Sequence, residues 1–201
     1  MLLHALIPAS RANGPGLRTV VFFQGCSIHC VGCWNPNSHR FHGRDIKVDA
    51  LVQDVLRARQ EHTLEGITFS GGEPMQQADS LLRLIQCLHQ EAPGLSFGMF
   101  SGYAEHELDN GQYWISGDGS SDQCRKHLWE EVRGFLDFAV LGRFNQAQPS
   151  SLPLRTSRNQ VLRLFTNRYS PADFSEQLTE VSIHKDGQVE LTGFPTLGLP
   201  W

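Results

Sequence analysis

Three cysteines lie within eight residues, and their spacing constrains this chain more than any other feature. Cys26, Cys30 and Cys33 are separated first by three residues and then by two. Thiolates so close together can each ligate one iron of a cubane iron–sulfur cluster, which leaves the fourth iron without a protein ligand. An open coordination position is typical of a metal site that binds and activates another molecule. The spacing therefore predicts a 4Fe-4S cluster held by these three side chains.

Two other interpretations of these cysteines stay open at this point. A zinc site would need a fourth ligand, and the chain has no second CxxC pair. A disulfide would need an oxidising compartment. The remaining two cysteines, Cys87 and Cys124, fall in segments with helical periodicity, with Cys124 on the apolar side. We therefore expect both of them to be structural.

Length and charge exclude several classes of function. The 201 residues predict one domain (1–201), with a core at about 14–170. The net charge of −4 argues against a nucleic-acid partner. Residues 1–10 lack a basic cluster and are interrupted by Pro8, and no stretch is long enough to span a membrane. We expect a cytoplasmic protein with reduced cysteines and no membrane or nucleic-acid partner.

Strand-like and helix-like segments alternate along the chain. Apolar, β-branched runs predict strands at residues 17–24, 64–69, 95–100, 135–141 and 161–165. Helical spacing of apolar residues predicts helices at 48–62, 81–88 and 128–132. This alternation predicts an α/β fold with a parallel sheet. Asp186-Gly187 between two apolar runs predicts a C-terminal β-hairpin at about 176–195.

Each of the first four predicted strands is followed by a loop that can carry chemistry. The cysteine loop follows the first strand, and the next three loops are 70–74, 101–103 and 142–144. Sites in parallel α/β folds form at the carboxyl ends of the strands. The four loops are therefore predicted to meet at one edge of the sheet.

The second loop has the composition of a ligand-binding turn. Gly71 and Gly72 lack side chains, so a ligand can approach their backbone, and Glu73 adds a carboxylate. Gly-Gly followed by Pro74 is also typical of an ordinary turn.

The side chains in the other loops each have two possible roles. Ser101 and Tyr103 can bind a ribose or can cap the next helix. Arg143 can pair with a carboxylate or can lie in solvent. Trp34 can pack in the core or lie beside a ligand. Three histidines flank the cysteine loop and can act as ligands or proton donors, but they are interpreted here as polar loop residues: His29, His39 and His42.

The cysteine loop, with Trp34 directly after Cys33, resembles the signature of the radical S-adenosylmethionine (SAM) enzymes. Residues 71–74 resemble the Gly-Gly-Glu-Pro motif of the same superfamily. Further segments are similar to those of the glycyl-radical-enzyme activases, and most closely to the anaerobic ribonucleotide reductase activating proteins: 14–18, 23–26, 32–36, 101–103, 137–144, 155–160 and 187–195. Two features depart from that group, namely Thr156 in place of a usual glycine and an inserted polar loop at 110–122.

The resemblance implies a fold and a set of ligands. The fold would be an incomplete (β/α) barrel of the radical SAM type, because the chain is too short for eight β/α units. The 4Fe-4S cluster would bind to the three cysteines, and its open iron would bind SAM. The residues that would contact SAM are Gly32, Cys33, Trp34, Gly71, Gly72, Glu73, Pro74, Ser101, Tyr103 and Arg143.

The resemblance also implies an oxidoreductase activity. A reductant protein such as flavodoxin or ferredoxin would supply one electron, and SAM would be cleaved to methionine and a 5′-deoxyadenosyl radical. The radical would abstract hydrogen from a glycine of a glycyl radical enzyme partner such as an anaerobic ribonucleotide reductase. The alternatives are a radical SAM enzyme acting on a small molecule or modified peptide, and a non-catalytic iron–sulfur electron carrier. Loop 110–122 is expected to border the substrate entrance and to contribute little to folding.

Overall fold

A mixed sheet forms the centre of the molecule in a computed structural model that describes residues 1–117, 119–174, 178–183, 187 and 189–194. Its seven strands lie in the order β3-β1-β2-β4-β5-β6-β7. Their bounds are β1 Leu2–Ser10, β2 Arg18–Phe23, β3 Arg44–Asp45, β4 Gly66–Gly71, β5 Ser96–Ser101, β6 Phe138–Leu141 and β7 Val161–Leu164. Strands β2, β4, β5 and β6 run parallel to one another, which confirms the predicted α/β class.

The two faces of the sheet have different coverings. The helices are α1 Val48–Glu61, α2 Ala78–Glu91, α3 Glu105–Asp109 and α4 Asp122–Arg133. Ala139 and Leu141 of β6 belong to the large core that also contains the apolar residues of α1, α2 and α4. Phe138 and Val140 alternate with them and belong to a second, smaller cluster. Since neighbouring side chains of a strand point to opposite faces, the helices cover one face of β6 and the smaller cluster covers the other.

The first strand was not predicted from the sequence. Residues 2–10 pair antiparallel with β2, and they also pair with the two-residue strand β3. The proline that breaks their apolar pattern, Pro8, lies beyond the residues that pair with β3. Proline is tolerated there because its missing N–H is not needed by a neighbouring strand.

Strand β7 runs opposite to the direction that simple strand–helix alternation suggests. It pairs antiparallel with β6. The connecting residues 142–160 contain no helix. A parallel return normally requires a helical crossover, so this connection brings the chain back antiparallel.

The C-terminal part of the described chain contains a separate pair of strands. β8 Thr179–Ile183 and β9 Val189–Gly193 pair antiparallel with each other. The turn predicted at Asp186-Gly187 includes Asp186, which lies outside the described residues. No helix among the described residues is long and apolar enough to cross a membrane.

Two sequence-based expectations about the region around α4 are wrong. The loop expected to be polar and dispensable carries two buried side chains, Tyr113 and Ile115. Cys124 is exposed, because it lies in the first turn of α4 while Trp129 and Val132 form the buried face of that helix. Cys87 is half-buried and packs against the large core, as expected of a structural cysteine.

Candidate functional site

One pocket lies at the carboxyl ends of the four parallel strands. Its wall includes strand-end residues from each of them: Phe22, Ser70, Phe100 and Val140. Residues from all four of the loops singled out in the sequence also line it. The parallel topology brings these loops together because every parallel strand ends at the same edge of the sheet.

The cysteine loop supplies three thiols to this pocket. The residues from Gly25 to Asn35 contain neither helix nor strand, so their conformation depends on bonds to other segments. The backbone N–H of Gly25 donates to the Ser38 carbonyl at 2.7 Å, and that of Cys26 donates to the His39 carbonyl at 3.0 Å. The three thiol-bearing residues are half-buried and all line the pocket: Cys26, Cys30 and Cys33.

Burial of the loop opposes ionisation of two of these thiols. It raises the pKa of Cys26 to about 11, with a smaller contribution from the negative charge of Glu73. Burial also raises the pKa of Cys33. Thiolates are the metal-binding form, so a bound metal must displace the protons and supply the compensating positive charge.

The three thiols in this pocket are a donor set that fits an iron–sulfur cluster. Within the described ranges, no three His, Cys, Asp or Glu side chains are close enough together to hold one ion. A cubane binds each thiolate through a different iron, so its ligands need not surround a single point. His39 also lines the pocket, and its Nε2 is buried without a hydrogen-bond partner in the described part of the chain. The thiol donor set and this unsatisfied nitrogen are compatible with a bound group.

Gly71 and Gly72 form a side-chain-free wall because two loops approach closely there. A Cβ on Gly71 would lie 2.5 Å from the Phe23 nitrogen, and Gly71 has a φ of +100°. A Cβ on Gly72 would lie 2.3 Å from the Gly25 carbonyl oxygen. The N–H of Gly72 donates to the Phe23 carbonyl at 2.7 Å. The two glycines therefore join the second loop directly to the backbone that precedes Cys26.

Glu73 is a buried carboxylate in the same wall. It is 1 % exposed and accepts hydrogen bonds from Ser101 Oγ at 2.8 Å, from the Gly102 N–H at 2.6 Å and from the Met75 N–H at 3.0 Å. Burial raises the pKa of Glu73 to about 7, although these three bonds favour the charged form. A cation that binds beside it would offset the cost of burying the charge.

The remaining sequence-predicted site residues divide into two groups. Trp34 and Ser101 line the pocket. Four others lie around the pocket without lining it: Gly32, Pro74, Tyr103 and Arg143. Of these, Pro74 begins a 3₁₀ helix.

Tyr103 and Arg143 are engaged with protein groups rather than with the pocket. Tyr103 is buried, and its hydroxyl accepts hydrogen bonds from Gln76 Nε2 and from the Trp114 N–H. The guanidinium of Arg143 donates to both carboxylate oxygens of Glu107, at 2.6 and 2.9 Å. This bidentate pairing raises the pKa of Arg143.

Several pocket residues were not identified as site residues from the sequence. Strand β9 contributes Leu191 and Thr192, and Phe194 directly follows that strand. The Phe194 ring lies 6.3 Å from Trp34 and 6.0 Å from Phe100. No local spacing reveals such distant contacts, and the similarity of residues 187–195 to activase tails was the one available signal.

Comparisons with known proteins identify the family of this chain. The family model described as a 4Fe-4S single cluster domain matches residues 12–163. The Vibrio cholerae serotype O1 anaerobic ribonucleoside-triphosphate reductase-activating protein is 30 % identical over 175 residues, which is 83 % of this chain and 99 % of the relative. The Escherichia coli K12 protein of that name is 28 % identical over 167 residues, 81 % of this chain and 97 % of its own.

A relative with a different name has comparable identity over a shorter stretch. The pyruvate formate-lyase-activating enzyme of Clostridium pasteurianum is 31 % identical over 156 residues, covering 68 % of this chain and 60 % of that enzyme. The family match covers the cysteine loop and the three other strand-end loops, in agreement with the resemblance found in the sequence. The chain therefore belongs to the 4Fe-4S single cluster domain family, and within it to the radical SAM activating enzymes.

Proposed function

We propose that this enzyme cleaves SAM reductively at a 4Fe-4S cluster and thereby activates a glycyl radical enzyme, in particular an anaerobic ribonucleotide reductase. The observation that carries the proposal is the meeting of three cysteine thiols with Gly71, Gly72 and Glu73 in one pocket. Support for the partner comes from the Vibrio and Escherichia relatives, which align over nearly their whole length and are named as activators of that reductase.

The residues of the pocket have complementary roles in this proposal. The three thiolates would hold three irons of the cluster, and the fourth iron would bind SAM. When bound and reduced, the cluster supplies the electron that breaks the bond between the sulfur and the adenosyl carbon of SAM. Glu73 would pair with the amino group of the methionine moiety, whose positive charge favours the ionised carboxylate. Trp34, Phe100 and Phe194 would exclude water from the reactive radical.

The surface around the pocket is compatible with two protein partners. Val31, next to Cys30, is 81 % exposed, so the cysteine loop reaches the protein surface. A flavodoxin or ferredoxin could approach the cluster there. We further propose that the parallel strands form the incomplete barrel of the radical SAM enzymes, with a side open to a glycine-bearing loop of the partner.

The test is electron paramagnetic resonance of the partner. The anaerobically reconstituted protein is incubated with SAM, a reductant and the anaerobic ribonucleotide reductase encoded in the same genome. We expect a glycyl radical doublet on the reductase, with release of methionine and 5′-deoxyadenosine. A small metabolite turned over in step with 5′-deoxyadenosine, without any radical on the reductase, would contradict the assigned partner.

Two cysteine variants form a matched control for the cluster. Cys33→Ala removes a proposed ligand, and we expect loss of the cluster and of SAM cleavage. Cys124→Ala removes an exposed cysteine of α4, and we expect about four irons per chain to remain. Loss of the cluster in Cys124→Ala would show that the three-cysteine assignment is wrong.

A further inference from the structure

The segment of residues 110–117, here called the linker segment, is anchored in the protein between α3 and α4. Tyr113 is 3 % exposed and Ile115 is 4 % exposed. The Tyr113 hydroxyl donates to the Arg125 carbonyl at 2.5 Å, and Arg125 Nε donates to the Gly111 carbonyl at 2.8 Å. A segment that is held this firmly can fix the position of the residues that it contacts. The contacts of the linker segment therefore indicate its role.

A chain of hydrogen bonds connects the linker segment to the cysteine loop. The Trp114 N–H donates to the Tyr103 hydroxyl at 3.1 Å. Gln76 Nε2 donates to the same hydroxyl at 2.7 Å and to Ser27 Oγ at 2.7 Å. Gln76 Oε1 in turn accepts from the Ser27 N–H at 2.8 Å. The Ser116 N–H donates to the Gln76 carbonyl at 2.8 Å, so the linker segment holds Gln76 through its backbone as well.

This network has the properties of a rigid connection. Gln76 is fully buried, and both ends of its side-chain amide are bonded. Of the two ends of the Gln76 amide, only the oxygen can accept a hydrogen bond from the Ser27 N–H. The orientation of the amide is therefore determined by its partners. Buried polar networks whose members are all satisfied favour one arrangement of the surrounding chain.

Aromatic contacts form a second connection between the same two segments. The Trp114 ring meets the Phe41 ring edge-on, with 5.0 Å between the centroids. Phe41 packs against Gly25, where an added Cβ would lie 2.4 Å from the Phe41 ring. Gly25 precedes Cys26 and has a φ of +107°. The linker segment therefore reaches both residues adjacent to Cys26, Gly25 through rings and Ser27 through hydrogen bonds.

We propose that the linker segment, acting through Tyr103 and Gln76, positions the cysteine loop for cluster binding. The proposal rests on the proposed function, since it assigns these residues to the site of the cluster. The loop has no regular secondary structure, and three consecutive N–H groups, those of Gly25, Cys26 and Ser27, are bonded to other segments. Tyr103 and Gln76 are positioning residues, because they act on the loop and have no thiol with which to bind iron.

Two adjacent tyrosines provide a matched pair of variants. Tyr103 and Tyr113 are both buried, with ring centroids 5.8 Å apart. Tyr103→Phe removes the hydroxyl that receives Gln76 and Trp114. Tyr113→Phe removes a hydroxyl from the linker segment but leaves the path to Ser27 intact. Both variants lose one buried hydroxyl, so a general loss of stability affects both of them.

The first measurement is amide hydrogen exchange at Gly25, Cys26 and Ser27 in the protein without a cluster. We expect roughly tenfold faster exchange in Tyr103→Phe than in Tyr113→Phe, the change that follows from weakening one hydrogen bond of the loop. The second measurement is iron release to a chelator from the reconstituted protein. We expect Tyr103→Phe to lose iron about tenfold faster and to alter the electron paramagnetic resonance spectrum of the reduced cluster.

Exchange and iron release at the wild-type rates in Tyr103→Phe would overturn the proposal. If Tyr103→Phe does not fold, Ser27→Ala tests the proposal instead. Ser27 is exposed, and this variant loses one of the two hydrogen bonds between Ser27 and Gln76. Exchange that stays at the wild-type rate in Ser27→Ala would also overturn it. The exchange experiment needs neither SAM nor a cluster, so failure of the proposed function would be recognised separately, as the absence of 5′-deoxyadenosine from the wild-type enzyme.

Discussion

The amino and carboxyl ends of the parallel strands differ in how their buried ionisable groups are satisfied. At the amino end, Arg18 begins β2 and is fully buried. Its guanidinium donates to the carbonyls of Ile67 at 2.8 Å and Ser96 at 3.1 Å, and to Thr68 Oγ1 at 2.8 Å. It also lies 5.1 Å from the centre of the Phe138 ring. The buried charge of Arg18 is therefore satisfied by hydrogen bonds to residues near the start of the neighbouring strands β4 and β5.

Burial opposes ionisation at both ends, since it also lowers the pKa of Arg18, but the buried groups at the carboxyl end are acids. The pKa of Glu73 is raised to about 7 and that of Cys26 to about 11, in both cases mainly by burial. Neither has a cationic partner within hydrogen-bond distance among the described residues. One end of the sheet therefore satisfies its buried charge within the protein, whereas the other holds groups whose charged forms a bound cation or metal would stabilise.

The largest change in stability is expected when the charge of Arg18 at the amino end is removed. Arg18→Met leaves several buried acceptors without a donor, and we expect the free energy of unfolding of the apo-protein to fall by about 3 kcal/mol or more. Urea denaturation followed by circular dichroism measures this. Arg57→Met is the control, since Arg57 is exposed and pairs with Asp54 on the surface of α1. A change below about 1 kcal/mol in Arg18→Met would contradict the structural role of this end.

The next effect concerns the pH dependence contributed by Glu73 at the carboxyl end. Its pKa is about 7 in the folded protein and near 4.5 in the unfolded chain, so the folded state binds more protons between these values. Stability should therefore fall as pH rises from about 4.5 to about 7, by roughly 3 kcal/mol in total. Glu73→Gln should flatten this slope, whatever it does to stability at one pH. An unchanged slope in denaturation of the apo-protein would mean that the carboxyl is not held in its neutral form.

A smaller effect is expected where the two loops touch at Gly72. Gly72→Ala places a Cβ 2.3 Å from the Gly25 carbonyl oxygen, which the backbone must relieve by moving. We expect a loss of about 1–3 kcal/mol in unfolding free energy and less iron bound after reconstitution. Gly119→Ala is the control, because a Cβ there has no atom within 4 Å. Equal stability and iron content in the two variants would mean that the contact between the loops is unimportant.

The parts of the fold that local pattern determines were predicted correctly. Apolar runs identified β2, β4 and β5, and helical spacing identified α1 and α2, because each buries a continuous face whose period is visible in the sequence. The cysteine spacing likewise belongs to one short segment. The convergence of the strand-end loops followed from the parallel order of the strands, which alternation with helices requires.

The features that were missed depend on contacts between distant residues. An arginine at the start of a strand is ordinarily exposed, and Arg18 is buried only because carbonyls of β4 and β5 surround it. Strand β1 is stabilised by pairing with its neighbours, which its irregular pattern does not reveal. The bonds of Gln76 to Ser27 and Tyr103 join residues 49 and 27 positions apart. No local rule predicts such pairs.

The smallest expected effect comes from the arginine at the carboxyl end, which makes the comparison with Arg18 most direct. Arg143 pairs with Glu107, and its side chain is 47 % exposed, so water screens the pair. The hydrogen bonds from Arg143 hold the pKa of Glu107 below its usual value. The pair therefore stabilises the folded protein at pH values above the ordinary pKa of a glutamate. This contribution is lost as the pH falls through the lower pKa of Glu107 in the folded protein. Glu107→Gln should therefore reduce the unfolding free energy at pH 7 by less than about 1 kcal/mol, and high salt should shrink the difference. Urea denaturation at low and high salt measures both effects. A loss as large as that of Arg18→Met would show that the two ends of the strands do not differ in how they bury charge.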